Sequence, residues 1–346
     1  MKTISWKRFQ AALENKERVL ITSHVNPDGD ALGSELAVAE LVESFGCKAK
    51  IYNVSPTPGN LTFLDPKGKQ FRPWTPRCTA SWIRKNFDAV LVVDTSSRSQ
   101  LDKAADPIVE SGVPLIIVDH HSIGDSFNAA LFANPLADST GLLIAQAFDK
   151  LKVPMSSAAA QALFTAICTD TGWFRFPSVT DATFSVTAKL VAAGAVPSVL
   201  YASLFEKFPF ARLKMMGVYM NNAQQYFDGK VILTFAKRSD FERFDAKHSD
   251  LEGVINQFLT VAGVHVAVLL SEQISTDGKP YVKVNFRSKS DYNVASWREP
   301  LAAADTSKPP ARPFTECRWR KPLKKYSKNL VHHFKLRVAS SELREE

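Results

Sequence analysis

The sequence predicts an α/β protein: a parallel sheet forms the main domain, and a smaller α+β domain follows it. Two observations predict this. Short apolar runs alternate with amphipathic helical stretches through the first half of the chain, the pattern of a parallel sheet covered on both faces. Past residue 225 the apolar runs alternate like half-buried strands, with one hairpin signal among them. The length agrees, since 346 residues at about 100–200 per domain suggests two domains or three.

Residues 1–17 mix Lys, Arg and Glu with apolar residues at helical spacing and lack the unbroken apolar stretch of a signal peptide. Residues 18–23 read as a short buried strand, and 30–45 carry helical periodicity. Ala89–Val93 and 115–118 are further buried-strand runs. Residues 139–151, 158–169 and 181–193 read as helices, and 199–208 with 210–223 as a helical connector. Strands are expected at 230–235, 264–270 and 281–287, with Asp277-Gly278 as a hairpin turn and 250–262 as one helix. The domains expected are 1–195, a connector at 196–225, a small domain at 226–295 and an atypical tail at 296–346.

Composition excludes several classes. Hydrophobic residues make up 45%, too many for a disordered chain and ample for a large core. The apolar runs are strand-length, none near the about 20 residues that span a bilayer. Cys47, Cys78, Cys168 and Cys317 show no paired spacing for zinc or redox work, so reduced thiols in a cytoplasmic protein without a membrane are expected. The 43 Lys+Arg exceed the 35 Asp+Glu by eight, which invites a nucleic-acid reading. Yet residues 297–346 hold twelve Lys+Arg against six Asp+Glu, so most of the excess lies in the tail and is poor evidence for a basic groove.

Chemistry-bearing residues follow the predicted strands. His24, Asp28 and Asp30 come after the first strand, Asp94 after the second, Asp119-His120-His121 after the third, and Asp170 closes a helix. In an open parallel sheet the carboxyl ends of strands face one crevice, where ligands bind. Carboxylates and imidazoles suit manganese or magnesium, and there are enough for two ions sharing a carboxylate, a device for phosphoester hydrolysis. Each segment alone also reads as a turn or a capped strand end; it is their common placement that points to a metal site.

His24-Val-Asn-Pro-Asp28-Gly-Asp30-Ala-Leu-Gly-Ser34, Asp94-Thr-Ser-Ser-Arg98, Asp119-His120-His121, Ser139-Thr140-Gly141 and Thr169-Asp170-Thr171-Gly172-Trp-Phe-Arg175 resemble the ordered motifs of the DHH phosphoesterase family, within it the oligoribonuclease/pAp phosphatase branch, over about residues 10–295. The resemblance implies a manganese-dependent, two-metal phosphoesterase acting on short RNA and 3',5'-adenosine bisphosphate. His24, Asp28 and Asp94 would hold one ion; Asp30, Asp94, His120 and Asp170 the other; magnesium is an alternative metal. His121 would face the substrate phosphate and Asp119 would orient the histidine pair. Arg98 is either a phosphate contact or a salt-bridged structural residue. Ser139 and Thr140 fit a helix cap better than a phosphate contact, and Arg175 fits a structural role. In the small domain, Arg287 and Ser288 would grip the substrate. Alternatives are a pyrophosphatase, polyphosphatase or cyclic-dinucleotide phosphodiesterase of the same family, or a metal-binding protein without turnover. A homodimer is left open.

The family pattern then expects a glycine-rich loop with a histidine. Residues 301–312 instead read Leu-Ala-Ala-Ala-Asp-Thr-Ser-Lys-Pro-Pro-Ala-Arg. Back-translated with suitable third bases and read two bases in, this stretch encodes Gly-Gly-Gly-Gly-His-Lys-Gln-Ala-Ala-Gly-Ala. A frameshift near 295–297 is therefore expected, and with it a small domain that lacks its final strand and helix and is disrupted after Ser296. Resequencing the gene there tests the first expectation.

Overall fold

A computed structural model of the chain describes residues 4–289, except 123, 126, 252, 276, 277 and 279, together with the backbone of 316–319. It divides into two compact units, Met1–Lys207 and Phe208–Glu346.

The first unit contains strands β1 (Arg18–Thr22), β2 (Lys48–Asn53), β3 (Phe71–Pro73), β4 (Ala89–Val93), β5 (Leu115–Asp119) and β6 (Ala129–Ala133). Its helices are α1 (Trp6–Ala12), α2 (Gly29–Glu43), α3 (Ala80–Asn86), α4 (Arg98–Leu101), α5 (Ala105–Glu110), α6 (Thr140–Leu151), α7 (Ser157–Asp170), α8 (Asp181–Ala192) and α9 (Pro197–Phe205). The strands form one sheet in the order β3-β2-β1-β4-β5-β6, every pairing parallel. Chain order reverses between β1 and β4, which makes their carboxyl ends the switch point where a crevice opens.

Burial on both faces explains the continuous apolar runs. Val19, Ile21, Leu91 and Val118 join one core with α2, α6 and α7, while Leu20, Val90, Val92 and Ile117 join a second on the opposite face. The sequence reading found β1, β4 and β5 but not β2, β3 or β6. In β2 charged residues interrupt the apolar pattern (Lys48, Lys50), β3 has three residues, and β6 is only partly buried apart from Phe132. Helices α2 and α7 pack closely. A Cβ on Gly33 would lie 2.3 Å from the Ala162 carbonyl oxygen, so only glycine permits this approach.

The second unit holds β7 (Gln224–Tyr226), β8 (Val231–Ala236), β9 (Val266–Ile274), β10 (Pro280–Ser288) and β11 (Glu316–Trp319), with α10 (Phe210–Asn221), α11 (Arg238–Phe244) and α12 (Ile255–Phe258). The sheet order is β11-β10-β9-β8-β7. β8 and β9 pair in parallel, so the segment carrying α11 and α12 is a crossover. β9 and β10 form the expected antiparallel hairpin, although Asp277 lies outside the described residues.

Two expectations are corrected here. The single helix at 250–262 is a 3₁₀ turn at His248–Leu251 followed by the four-residue α12, separated by Gly253 at φ +75°, a backbone conformation that ends a helix. The expectation of no final strand also fails, because β11 pairs antiparallel with β10, Val284 opposite Cys317. The altered loop at 301–312 and the frame change at 295–297 lie outside the described residues. Among the described residues no single helix is long and apolar enough to cross a membrane.

Candidate metal centre

The centre is built on the carboxyl ends of β1, β4 and β5 and on the ends of three helices. After β1 the chain turns through His24 to Asp28, which caps α2: its Oδ1 accepts the N–H groups of Asp30 and Ala31, both at 3.0 Å. Asp30, the second residue of α2, is 1% exposed. Its oxygens accept the N–H of Thr140 at 2.7 Å and of Gly141 at 2.8 Å, so the start of α6 neutralises part of its charge. Asp94 follows β4 at φ +61°, unusual for a residue other than glycine, with its N–H on the Val118 carbonyl. Its buried carboxylate accepts the Thr140 hydroxyl at 2.9 Å.

His120 Nδ1 lies 3.2 Å from the Ala137 carbonyl, which accepts its proton and leaves Nε2 unprotonated. That Nε2 is buried and has no hydrogen-bond partner among the described residues. It lies 3.4 Å from Asp170 Oδ2, 3.6 Å from Asp94 Oδ1 and 3.8 Å from Asp30 Oδ2. A lone pair aimed at three ionised carboxylates is repulsive unless a proton or a metal cation stands among them. His24 repeats the arrangement: Nδ1 meets the Val25 carbonyl at 3.0 Å, and Nε2 lies 3.4 Å from Asp94 Oδ2 and 3.9 Å from Asp28 Oδ1. The donor atoms of Asp30, His120 and Asp170 fall within 4.8 Å of one another, as do those of His24, Asp28 and Asp94, and of Asp94, His120 and His121. Asp94 belongs to two of these groups, and the donors are those that suit hard and borderline divalent cations.

The electrostatics agree. Burial, then the neighbouring carboxylates, holds Asp30 and Asp94 well above the usual carboxylate range. Burial and Asp28 push Asp170 up to about 7. Burial and the facing His121 lower His120. His121 goes the other way: its Nδ1–H donates to Asp119 Oδ1 at 2.9 Å, and that bond raises it. Burial works to raise Asp119, but the bonds from the His121 ring and backbone outweigh it and leave Asp119 lowered.

All six residues read as metal ligands therefore meet in one cluster, with His121 and Asp119 beside it. Arg98 pairs with Asp106 at 2.6 Å, the structural role left open above. Ser139 caps α6, accepting the Leu142 N–H at 3.1 Å, and Arg175 donates to the Gly172 carbonyl at 2.7 Å. Arg287 and Ser288 end β10 in the second unit, both partly buried. Sequence reasoning missed the roles of Ala137, Thr140 and Gly141 toward the ligands. Two act through backbone atoms, which carry no sequence signal, and Thr140 resembles an ordinary cap.

Fold and site together make this an α/β protein with a candidate divalent-cation centre at the switch point of its parallel sheet. Residues 18–167 match the DHH family, N-terminal domain. The chain is 23% identical over 278 residues to the bifunctional oligoribonuclease and PAP phosphatase NrnA of Bacillus subtilis, covering 79% of this chain and 82% of that protein. It is 28% identical over 304 residues to the protein of that name from Thermus thermophilus, covering 84% of each. An exopolyphosphatase-related protein from Bacteroides fragilis shares the fold at a TM-score of 0.82, with 22% identity over 97% of this chain and 98% of that one. The chain carries a DHH-family N-terminal domain at residues 18–167 and resembles the oligoribonuclease/PAP phosphatase proteins over most of its length, which together mark it as a phosphoesterase.

Proposed function

We propose that this chain hydrolyses short oligoribonucleotides from one end, and 3',5'-adenosine bisphosphate, with two manganese ions. The observation that carries the metal reading is the buried, unpartnered His120 Nε2 among the carboxylates of Asp30, Asp94 and Asp170. His24, Asp28 and Asp94 would hold one ion and Asp30, Asp94, His120 and Asp170 the other, with magnesium as the alternative metal. When bound, such a pair supplies an activated water and neutralises charge on the phosphoryl oxygens. The relatives' names support the nucleotide substrates.

The chain's own residues do the rest. Asp119 fixes the His121 ring through Nδ1, and that bond raises the ring's hold on its proton. The ring is half-exposed, so His121 can donate a proton to a phosphate oxygen or to the leaving oxygen. Arg287 and Ser288 serve as substrate contacts on β10, and Arg98, held by Asp106, orders the loop after Asp94. Reduced thiols fit a cytoplasmic setting: Cys47, Cys78 and Cys168 are free and buried.

The test is hydrolysis of an RNA of a few nucleotides in manganese, comparing wild type with Asp94→Ala. A large loss is expected; equal rates sink the reading. A second reading, a metal-binding protein without turnover, rests on the missing glycine-rich histidine loop. It predicts that the wild type binds manganese and cleaves nothing, and that a chain restored to the shifted frame cleaves.

A further inference from the structure

Residues 137–141 contain none of the proposed metal ligands, yet they hold three of them. The Ala137 carbonyl fixes the His120 tautomer, and the Gly141 N–H binds Asp30 Oδ1. Thr140 acts twice: its N–H donates to Asp30 Oδ2 at 2.7 Å and its Oγ1–H to Asp94 Oδ1 at 2.9 Å. The segment is anchored from behind, where buried Asp138 accepts the Ser139 hydroxyl and that of Thr183 on α8.

Thr140 is fully buried, so both donors work away from water. The carboxylates it joins arrive on different elements, Asp30 on α2 and Asp94 after β4. Asp30 belongs to one candidate cation group and Asp94 to the other two. Asp94 also sits in a left-handed backbone conformation, which persists only where surrounding contacts over-determine it. Thr140 Oγ1 is the hydroxyl that orients its carboxylate.

We propose that Thr140 is a positioning residue for the metal centre: its two donors lock the Asp30 and Asp94 carboxylates in one relative orientation before cations arrive. This rests on the metal reading above and assigns Thr140 a role beyond capping α6. Hydrogen-bond partners behind metal ligands typically set affinity by about 10–100-fold.

The experiment is calorimetric titration of metal-free protein with manganese chloride, alongside thermal unfolding in chelator. Thr140→Val keeps the shape, keeps the N–H and removes the hydroxyl; its manganese affinity should fall about 10–100-fold. Thr140→Ser keeps an Oγ and should bind close to wild type. A Val variant with unchanged affinity overturns the proposal, whatever its melting temperature. So does a Ser variant as weak as the Val variant, because the hydroxyl is then not the cause. Should Val fail to fold, Thr140→Ala, which cannot clash, is titrated instead; if neither folds without metal, the residue serves the core and the proposal fails. A wild type that binds no manganese refutes the metal reading itself, and this proposal with it.

Discussion

His121 and His120 are adjacent in sequence but have opposite electrostatic roles. His120 gives its Nδ1 proton to a carbonyl and turns a bare Nε2 toward carboxylates, the state of a ligand. His121 is bound to Asp119 and is biased toward the protonated, donating state. Replacing His121 with Gln should therefore lower kcat by about 10²–10⁴-fold at saturating manganese, while the manganese affinity holds. Collapse of the affinity with kcat intact would make His121 a ligand instead. Asp119→Asn removes the charge that raises His121, so the alkaline limb of the kcat profile should move to lower pH; an unmoved limb would show that Asp119 acts only on geometry. Most of the site was legible at this scale because its side chains, Asp and His, are of the types that do the chemistry, and they sit directly after apolar strand runs. Thr140 was not legible. A hydroxyl and an N–H at a helix start look the same in sequence whether they cap the helix or hold another element's carboxylate.

The candidate metal centre joins the start of α2 to the end of α7, so the fit between these helices bears on the distance between Asp30 and Asp170. Gly33 is one of the points where they pack too closely for a Cβ. The Gly33→Ala change places a Cβ 2.3 Å from a backbone oxygen that no rotamer can move. Overpacking of this kind costs about 1–3 kcal/mol. The helices should part, giving lower stability in urea unfolding together with weaker manganese binding. A variant that loses stability but keeps its metal affinity would show the centre to be insulated from this contact. Legibility at this scale followed burial. β1, β4 and β5 are apolar through their middles because both faces are covered, and they were read directly. β2 hides because Lys48 and Lys50 break its pattern, although Ile51 still packs into the core. The helix expected at 250–262 failed because its apolar periodicity continues across Gly253, where the backbone turns left-handed.

For the whole molecule, the clustered carboxylates tie stability to pH and to metal together. Asp170 ordinarily titrates near 3.8 and stands at about 7 in the folded chain. Glu35, buried on α2 with Asn53 donating to it at 2.8 Å, moves from 4.5 to about 7, chiefly by burial. Between those values the folded chain keeps protons that the unfolded chain releases, so stability falls as pH rises through that window. Asp30 and Asp94 act in the same direction, and so does His121, whose raised value adds stability that is lost above its titration. His120, lowered by burial, opposes them only below about 6.5. Metal-free protein should therefore melt at a lower temperature at pH 8 than at pH 5.5. Divalent cations bind the deprotonated ligands, so their affinity grows with pH, and the stabilisation they confer grows with it. Excess manganese should accordingly raise the melting temperature far more at pH 8 than at pH 5.5. In Asp170→Asn the metal-free dependence should flatten, because one of its causes is gone. Melting curves in chelator and in manganese across that range check all three effects. A metal-free melting temperature that is flat or rising with pH would mean that the buried carboxylates are neutralised by the chain itself, and that no cation is needed to hold them together.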